Sequence, residues 1–573
     1  MLLNKFKKYA DYFFLRSDSV KGCVLLALLL LMEFSIMPLT FGPDRRIHDP
    51  AVYRLQDTSY MAGDWYTEMA VDSGVYTFYA GLIQAGSWVG FSEEVWRMFL
   101  YVVCLSVLYV YLLKLARLFT REWYIIPSVA VLPALLVTAM PPAWLYGYYI
   151  QVDGGLAPRS VAMALSVVAL YYLLISPRYL PWILLGIATL IHVSNAFITF
   201  ALFIGAWFFM RLWEQIQEDK RLSFEKNSIL VKDISRGVFL YLISGGWFIL
   251  EVFWLSWHQV STFSAQKFIW TWIYFRAPYM ALPAVPLGYW AVFMFHVIAL
   301  FCGGWLIRRW YSKQVVYVDL LMIIGFFALC GFGIFYVFTF IFPWLPGFQF
   351  YSLRLIYLLY LIGHLFTVLF LIGLLKKIWI SKNLRCCNHI EWTTSVFLLV
   401  CLGVTFWLCP VFPGTKFVTG AQKNLKDSLK QIQVPGPRPP ESETALFLVG
   451  QAEPFLAPPD WNGSRTYVPS VASFKTFGFS KEGLEEWYNR MNRISRGELE
   501  DTYNKQNKKE KYKAVKIDWQ KNYESLTAEE VERLSKEYHF ELFLTYKEKE
   551  YPFELVTEDK DYRLYRLPSE LLQ

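Results

Sequence analysis

The sequence predicts a polytopic α-helical membrane protein with about 11 spans and a small C-terminal α/β domain outside the membrane. Two observations favour this class. Hydrophobic residues make up 55% of the 573 positions, and long apolar runs recur along the chain, whereas a bilayer-crossing helix needs about 20 mostly apolar residues. A third observation, the placement of Lys and Arg, sets the predicted orientation. The net charge of +8 belongs to loops predicted to be cytoplasmic, and no basic run with interleaved aromatics indicates nucleic-acid binding.

The first span is predicted over about 20–41, directly after a short basic N-terminus. Its apolar part is long and no small-residue cleavage site follows, which favours an uncleaved span over a signal peptide. Because the preceding basic residues place the N-terminus in the cytoplasm, the acidic segment 42–94 is predicted to lie outside and to hold amphipathic helices.

The remaining spans follow from apolar runs. They are predicted at about 95–117, 123–141, 160–176, 237–257, 285–307, 316–342, 350–375 and 392–412. The run 180–213 is too long for one span and too short for two full ones, and His192, Ser194 and Asn195 interrupt it. We expect two short helices meeting near His192, or one broken span. Counted twice, this run gives 11 spans and an extracytoplasmic C-terminus.

The chain divides into a transmembrane domain, 1–413, and an extracytoplasmic α/β domain, 414–573. The second opens with the Pro-rich linker QVPGPRPP. Short apolar runs predict strands in TALFLVG, ELFLTYK and DYRLYRLP. Amphipathic patterns predict helices in KEGLEEWYNRMNRI and TAEEVERLSKEYH, the latter starting with a capping box from Thr527 to Glu530. No GxGxxG or P-loop indicates nucleotide binding.

Cysteine and histidine spacing indicates neither a disulfide framework nor a metal centre. None of the 8 cysteines falls in the polar C-terminal region, and no CxxC or HExxH is present.

Acidic residues cluster in the first predicted outer segment and further polar candidates lie on the same face, whereas ionisable groups inside the spans are few. The acidic members of segment 42–94 are Asp44, Asp49, Asp57, Asp64, Glu68 and Asp72. Asp153 and Arg159 lie in the second outer loop and Arg276 in a later one. This distribution indicates an active site at the outer membrane surface.

Carboxylates and arginines on that face suit glycosyl transfer from a lipid-linked sugar. The attacking hydroxyl needs a general base, and the departing phosphate needs cationic or metal help. Arginine binds two phosphate oxygens with its planar fork. The simpler interpretation is that the loop aspartates are solvated, that Arg159 and Arg276 contact lipid headgroups, and that His192 is a packed polar residue at a helix break.

The order of motifs resembles the C-type (GT-C) membrane glycosyltransferase superfamily, and more closely its poorly characterised bacterial multi-spanning members. The matching positions run along nearly the whole chain: Asp44, Pro50, Asp57, Asp64-Trp65, Pro158-Arg159, LIHVSN around His192, Arg276 and Pro278 in FRAPYMALP, Arg354, Lys475, and EWYNR ending at Arg490. One position departs from the pattern. Tyr279 stands where a His is expected, which puts the substrate or the activity in doubt.

The resemblance implies a role for each site residue. Asp44 would be the catalytic base, with Asp57 and Asp64 as a second carboxylate or metal ligands. Arg159, Arg276 and Arg354 would face the lipid phosphate, and His192 and Asp153 would contribute to substrate binding. The resemblance does not specify a cofactor. Such carboxylates would suit a divalent cation, Mg²⁺ or Mn²⁺.

The resemblance also implies location and partners. The protein would lie in the plasma (inner) membrane, with a polyprenyl-phosphate-sugar donor and a glycan, lipid or protein acceptor from the envelope. The tail would help bind the acceptor or hold the outer loops in place. The alternatives are a lipid-linked glycan polymerase or ligase, and a transporter or non-catalytic scaffold of the same fold. A transporter predicts paired ionisable groups deep in the bundle.

Overall fold

The chain is a mostly helical membrane protein with a small C-terminal sheet. The structure, a computed structural model, describes residues 45–58, 65–72, 74–120, 156–219, 224–258, 261–276, 287–345, 348, 352–381, 393, 396–398, 400, 455–456, 481–508, 519–558 and 562–568.

Within these ranges, 6 helical stretches are long and apolar enough to cross a bilayer. They are Val95–Arg117, Pro158–Ile175, Val193–Gln217, Trp290–Trp310, Ser312–Ile341 and Ile356–Leu374. The shorter apolar helix Leu180–Ile191 accompanies them. The spans predicted at 20–41 and 123–141 fall outside the described residues, as does most of 392–412. The predicted total of about 11 is therefore not confirmed.

Shorter helices complete the membrane part. Before the first long span these are Arg45–Gln56, Trp65–Asp72 and Thr77–Trp88, and Glu93 begins that span. Further along are Phe224–Tyr241, Phe248–His258 and Ala265–Trp270, with single π-helical turns at Leu242–Gly246, Thr271–Arg276, Ala299–Gly303 and Val337–Ile341.

The predicted break near His192 is confirmed. Helix Leu180–Ile191 ends at His192, whose backbone is extended at φ −151° and ψ 90°, and helix Val193–Asp219 begins at the next residue. At 1.5 Å per residue, the first helix is about 18 Å long and the second about 40 Å. The second is long enough to cross a bilayer core of about 30 Å, whereas the first is shorter than that core.

The span predicted at 237–257 is not one continuous helix. Gly245 adopts φ 142° and interrupts it. A Cβ at Gly245 would lie 2.4 Å from the carbonyl oxygen of Gly186, so this contact with helix Leu180–Ile191 requires glycine. Hydropathy alone could not reveal the interruption, because apolar residues continue on both sides.

The C-terminal region combines helices with an antiparallel sheet. Its helices are Lys481–Ile494, Glu498–Lys508, Trp519–Glu524 and Ala528–Tyr538. Its three main strands are Leu542–Tyr546, Glu554–Glu558 and Tyr562–Arg566, with the last in the centre, and the two-residue strand Phe455–Leu456 adds to the first in parallel. Trp487, Tyr523 and Phe543 are fully buried, and the rings of Tyr523, on a helix, and Phe543, on a strand, lie 5.8 Å apart between centroids.

Most predicted elements of this region are confirmed. Helices form in KEGLEEWYNRMNRI and TAEEVERLSKEYH, and strands form in ELFLTYK and DYRLYRLP. The capping box is present, since the Glu530 backbone N–H donates to Thr527 Oγ1 at 3.2 Å and the Thr527 N–H to Glu530 Oε2 at 2.8 Å. The strand predicted in TALFLVG falls outside the described residues.

Candidate functional site

Basic side chains from four distant segments meet at the break between the helices Leu180–Ile191 and Val193–Asp219. Arg354 Nη1 lies 3.3 Å from His192 Nε2, and the same nitrogen donates to Ser194 Oγ. His48 and Arg159 lie within electrostatic range of the His192 imidazole. We call these five residues the His192 cluster.

The cluster forms because three helices begin beside it. Pro158–Ile175 begins one residue before Arg159, Val193–Asp219 begins one residue before Ser194, and Ile356–Ser381 follows the 3₁₀ turn that carries Arg354. Proline at the first helical position has a preset φ and no N–H to leave unbonded, so it favours a helix start there. The three starts bring side chains from residues 159 to 354 to one end of the bundle.

The contacts of His192 favour its neutral ring. Arg354 approaches Nε2, and the Asn195 backbone N–H points at Nδ1 from 3.3 Å. A guanidinium and a backbone N–H can only donate, whereas a protonated imidazole has no acceptor. A neutral ring has one acceptor and one N–H. His192 can therefore accept only one of these two bonds, and its own N–H lies on the ring nitrogen that faces the other donor.

A layer of hydroxyl groups lies one turn further into the membrane. The Tyr357 and Thr199 hydroxyls are 2.9 Å apart, and Thr199 Oγ1 donates to the Asn195 carbonyl at 2.7 Å. Ser166 also hydrogen-bonds to Tyr357. These bonds join the same three helices directly beneath Arg354 and His192. They fix the relative heights of the helix starts.

A buried ion pair fixes the segment that carries His48. Arg97 Nη2 lies 3.0 Å from Asp49 Oδ1, and both side chains are less than a tenth exposed. Arg97 Nε also pairs with Glu93 at 2.6 Å, and Glu93 accepts from the Tyr53 hydroxyl at 2.8 Å. Asp49, the residue after His48, is therefore held in an ion pair with Arg97.

The same network reaches the start of the next span. The Tyr79 hydroxyl donates to the Leu156 carbonyl at 2.7 Å and lies 3.3 Å from Arg97 Nη1. Leu156 precedes Arg159 by three positions. Segment 45–56 and the start of helix Pro158–Ile175 are therefore held to one another through Arg97 and Tyr79.

The structure brings some predicted site residues together and says nothing of others. His192, Arg159 and Arg354 meet in the cluster. Asp57 is described, but it is exposed just beyond the end of helix Arg45–Gln56. Asp44, Asp64 and Asp153 fall outside the described residues, and Arg276 is described only in its backbone, at the end of a π-helical turn.

His48 and Arg97 were not predicted as functional residues. His48 stands in the acidic stretch that the sequence singles out, but only the fold places it near His192. In the sequence, Arg97 looks like a basic residue that flanks a span. Its acidic partner, Asp49, lies 48 positions earlier, so no local pattern connects the two.

A metal centre finds no support in the described part of the chain. No group of three or more His, Cys, Asp and Glu side chains comes together there in an arrangement that could hold an ion. The buried carboxylate of the segment, Asp49, is paired with Arg97.

The C-terminal region contacts the segment 261–276 along its length. We call this interface the tail contact. Glu485 accepts from Ser261 Oγ at 2.6 Å and from the Thr262 backbone N–H at 2.8 Å. Lys267 Nζ pairs with Glu500 at 2.7 Å.

Aromatic side chains close the inner part of the tail contact. Trp270 Nε1 donates to Gln506 at 3.1 Å. The ring of Phe275 stacks on that of Trp487 with centroids 4.9 Å apart. Phe275 directly precedes Arg276, so the tail contact fixes the backbone from which that arginine projects.

The two carboxylates of the tail contact are stabilised as anions. Burial by itself would raise the pKa of Glu485, but hydrogen bonds from Ser261 and Thr262 outweigh burial and lower it. Burial would also raise the pKa of Glu500, but hydrogen bonds from Lys267 and Tyr488 outweigh burial and lower it. Both groups therefore favour the contact in their charged form.

Arginine and histidine side chains at converging helix starts can bind an anion with several oxygens, such as a phosphate. Comparison with known proteins adds no family to this geometry: no protein-family model matches the chain, and no curated protein matches it either.

Proposed function

We propose that this protein is an integral-membrane glycosyltransferase of the GT-C type. It would use a polyprenyl-phosphate-linked sugar at the outer face of the membrane to modify an envelope glycan, lipid or protein. The observation that carries the proposal is the His192 cluster. It brings Arg354 and Arg159 together with two histidines at one end of a membrane bundle, a charge arrangement that suits a lipid-borne phosphate.

The chemistry assigns each part of the cluster a task. During transfer the acceptor oxygen forms a bond to the anomeric carbon while the bond between that carbon and the phosphate oxygen breaks, and negative charge grows on the phosphate. Arg354 and Arg159 stabilise that charge, and a neutral His192 can add an N–H donor. The acceptor hydroxyl loses its proton to a carboxylate, for which Asp44 is the proposed base and Asp57 and Asp64 are the further candidates.

A binding experiment tests the phosphate assignment before any sugar is known. The full chain in nanodiscs is incubated with a polyprenyl monophosphate, and bound lipid is measured by native mass spectrometry. Loss of one charged hydrogen bond costs about 1.5–3 kcal/mol, so Arg354→Gln should weaken binding roughly 10- to 150-fold.

The matched control is Arg309→Gln. Arg309 lies in the last turn of helix Gly304–Trp310 and stacks over Trp305 at 4.3 Å. We expect wild-type binding from this variant. An equal loss from Arg309→Gln and Arg354→Gln, or no lipid bound to the wild type, would contradict the assignment.

Transfer itself is tested with Asp44→Asn. We expect this variant to bind the carrier lipid like the wild type and to fail in complementing a glycan-deficient strain. Full rescue by Asp44→Asn would remove Asp44 as the base while leaving the phosphate site in place.

One observation favours a transporter as the second candidate. His296 Nε2 lies 3.2 Å from His364 Nδ1, and His296 Nδ1 lies 2.7 Å from the Val292 carbonyl oxygen, within the helices Leu287–Ile298 and Ile356–Ser381. A paired ionisable group inside a bundle is what a transporter requires. The two functions differ in product, since a transferase releases free polyprenyl phosphate whereas a transporter leaves the sugar–phosphate bond intact.

A further inference from the structure

Part of the predicted outer segment has no charge at all. No Asp, Glu, Lys or Arg occurs between Asp72 and Glu93. This stretch forms the helix Thr77–Trp88 and a short turn that leads into helix Glu93–Arg117. With 12 residues, the helix is about 18 Å long and cannot cross a bilayer core of about 30 Å. Apolar helices of this length are typical of buried, re-entrant or interfacial segments.

The turn exposes large apolar side chains. Trp88 is 74% exposed, Val89 62% and Phe91 50%. We call residues 88–91 the hairpin tip. Gly90 adopts φ 83°, and no atom lies within 4 Å of where its Cβ would be. The tip therefore projects away from the rest of the described chain.

The exposed apolar surface continues onto a membrane-spanning helix. The ring of Phe91 stacks on Trp96 with centroids 5.9 Å apart, and Trp96 stacks on Phe99 at 5.4 Å. Phe99 is 52% exposed on the span Val95–Arg117. The hairpin tip and the lipid-facing side of that span are one continuous surface.

The polar groups of the hairpin bond to the hairpin itself. The backbone N–H groups of Val89 and Phe91 donate to the Gly86 carbonyl at 3.2 and 3.0 Å. Ser87 Oγ donates to the Gln84 carbonyl at 2.7 Å, and Trp96 Nε1 to that of Leu82 at 2.9 Å. A turn that contacts lipid must satisfy its polar groups internally, because hydrocarbon offers no partners.

We propose that the hairpin tip inserts into the bilayer leaflet at which helix Glu93–Arg117 begins, and so anchors segment 45–92 to the lipid surface. Trp88 and Phe91 are suited to the boundary between headgroups and acyl chains. The Asp49–Arg97 ion pair then lies at the polar edge of the same leaflet. Because segment 45–92 carries His48, this anchor keeps the His192 cluster close to the lipid surface.

Photo-crosslinking in vesicles tests this inference without any assumption about activity. Benzoylphenylalanine is incorporated at position 88 of the otherwise native full chain, which is reconstituted in phosphatidylethanolamine–phosphatidylglycerol vesicles and irradiated. Mass spectrometry of the tip peptide should show a phospholipid adduct. The same photoprobe at exposed Asp57 is the control and should give no lipid adduct above the unirradiated background.

Two results would overturn the proposal. One is an absence of lipid adduct at position 88, which would place the tip in water. The other is a cross-linked dimer at that position in place of a lipid adduct, which would make the tip an interface between two copies of the chain. If the Trp88 variant fails to fold, the photoprobe at Phe91 decides between the same outcomes.

Discussion

Replacing Asp49 by Asn should destabilise the protein far more than the same change at a second carboxylate with similar contact geometry. Asp49 pairs with Arg97 at 3.0 Å, with side chains 8% and 4% exposed. Asp319 pairs with Arg308 at 2.8 Å, with side chains 37% and 54% exposed. The pairs match in chemistry and nearly in distance, and they differ in burial.

The expected cost follows from burial. At an effective dielectric constant near 20, two charges 3.0 Å apart attract with about 5.5 kcal/mol, and desolvation offsets much of this. Removing one partner of a buried pair typically costs about 3–5 kcal/mol, because the remaining charge is left uncompensated. Arg97 keeps Glu93 at 2.6 Å, so Asp49→Asn should cost about 3 kcal/mol, at the lower end of that range. Asp319→Asn should cost less than about 1 kcal/mol.

Denaturant titration in mixed micelles measures both free energies of unfolding. A double-mutant cycle of Asp49→Asn with Arg97→Gln isolates the pair and should give a coupling free energy of about 1–3 kcal/mol. If Asp49→Asn costs no more than Asp319→Asn, or if the coupling is zero within error, the pair does not anchor segment 45–56. The same variant should still bind polyprenyl monophosphate, since Asp49 is not among the proposed phosphate ligands.

Two further predictions concern the helix crossing and the tail contact. Gly245→Ala should lower stability by about 1–3 kcal/mol through its positive φ and by a similar amount through overlap with Gly186. Gly497→Ala has a positive φ but open space around the Cβ, so it should show only the first effect; equal losses would refute the packing argument. The tail contact should weaken in acid, because Glu485 and Glu500 have lowered pKa values: its stabilisation is complete above their ordinary value of 4.5 and is lost as the pH falls through the lowered values. The protection factors of the amides in 261–276, which are exchange rates corrected for their intrinsic pH dependence, should therefore fall below pH 4.5, less so in Glu485→Gln, whereas pH-independent protection factors would exclude the mechanism.

The elements that the sequence predicts best are those with a local physical cause. Helix Lys481–Ile494 has the predicted bounds, because an apolar stripe recurs at helical spacing and buries Trp487. The capping box at Thr527 needs only residues three apart. The break at His192 follows from polar residues within an apolar run of incompatible length.

The missed features depend on contacts or angles that local patterns do not encode. Strand Glu554–Glu558 is partly exposed at a sheet edge, so its sequence has no clear alternation. The kink at Gly245 depends on φ, which hydropathy does not report. The pairing of Asp49 with Arg97 and the approach of His48 to His192 join positions that are distant in sequence, so only the folded chain brings them together.

The convergence of three helix starts at the His192 cluster gives the site an electric field that no side-chain substitution removes. The backbone dipoles of a helix sum to about half a positive charge at its N-terminus. The N-termini of the helices Pro158–Ile175, Val193–Asp219 and Ile356–Ser381 would together contribute roughly one and a half positive charges. The C-terminus of Leu180–Ile191 at His192 subtracts about half a charge, so about one positive charge remains. This field does not titrate. A variant lacking both Arg159 and Arg354 should therefore keep a residual preference for anions over neutral lipids, at every pH at which the bundle remains folded.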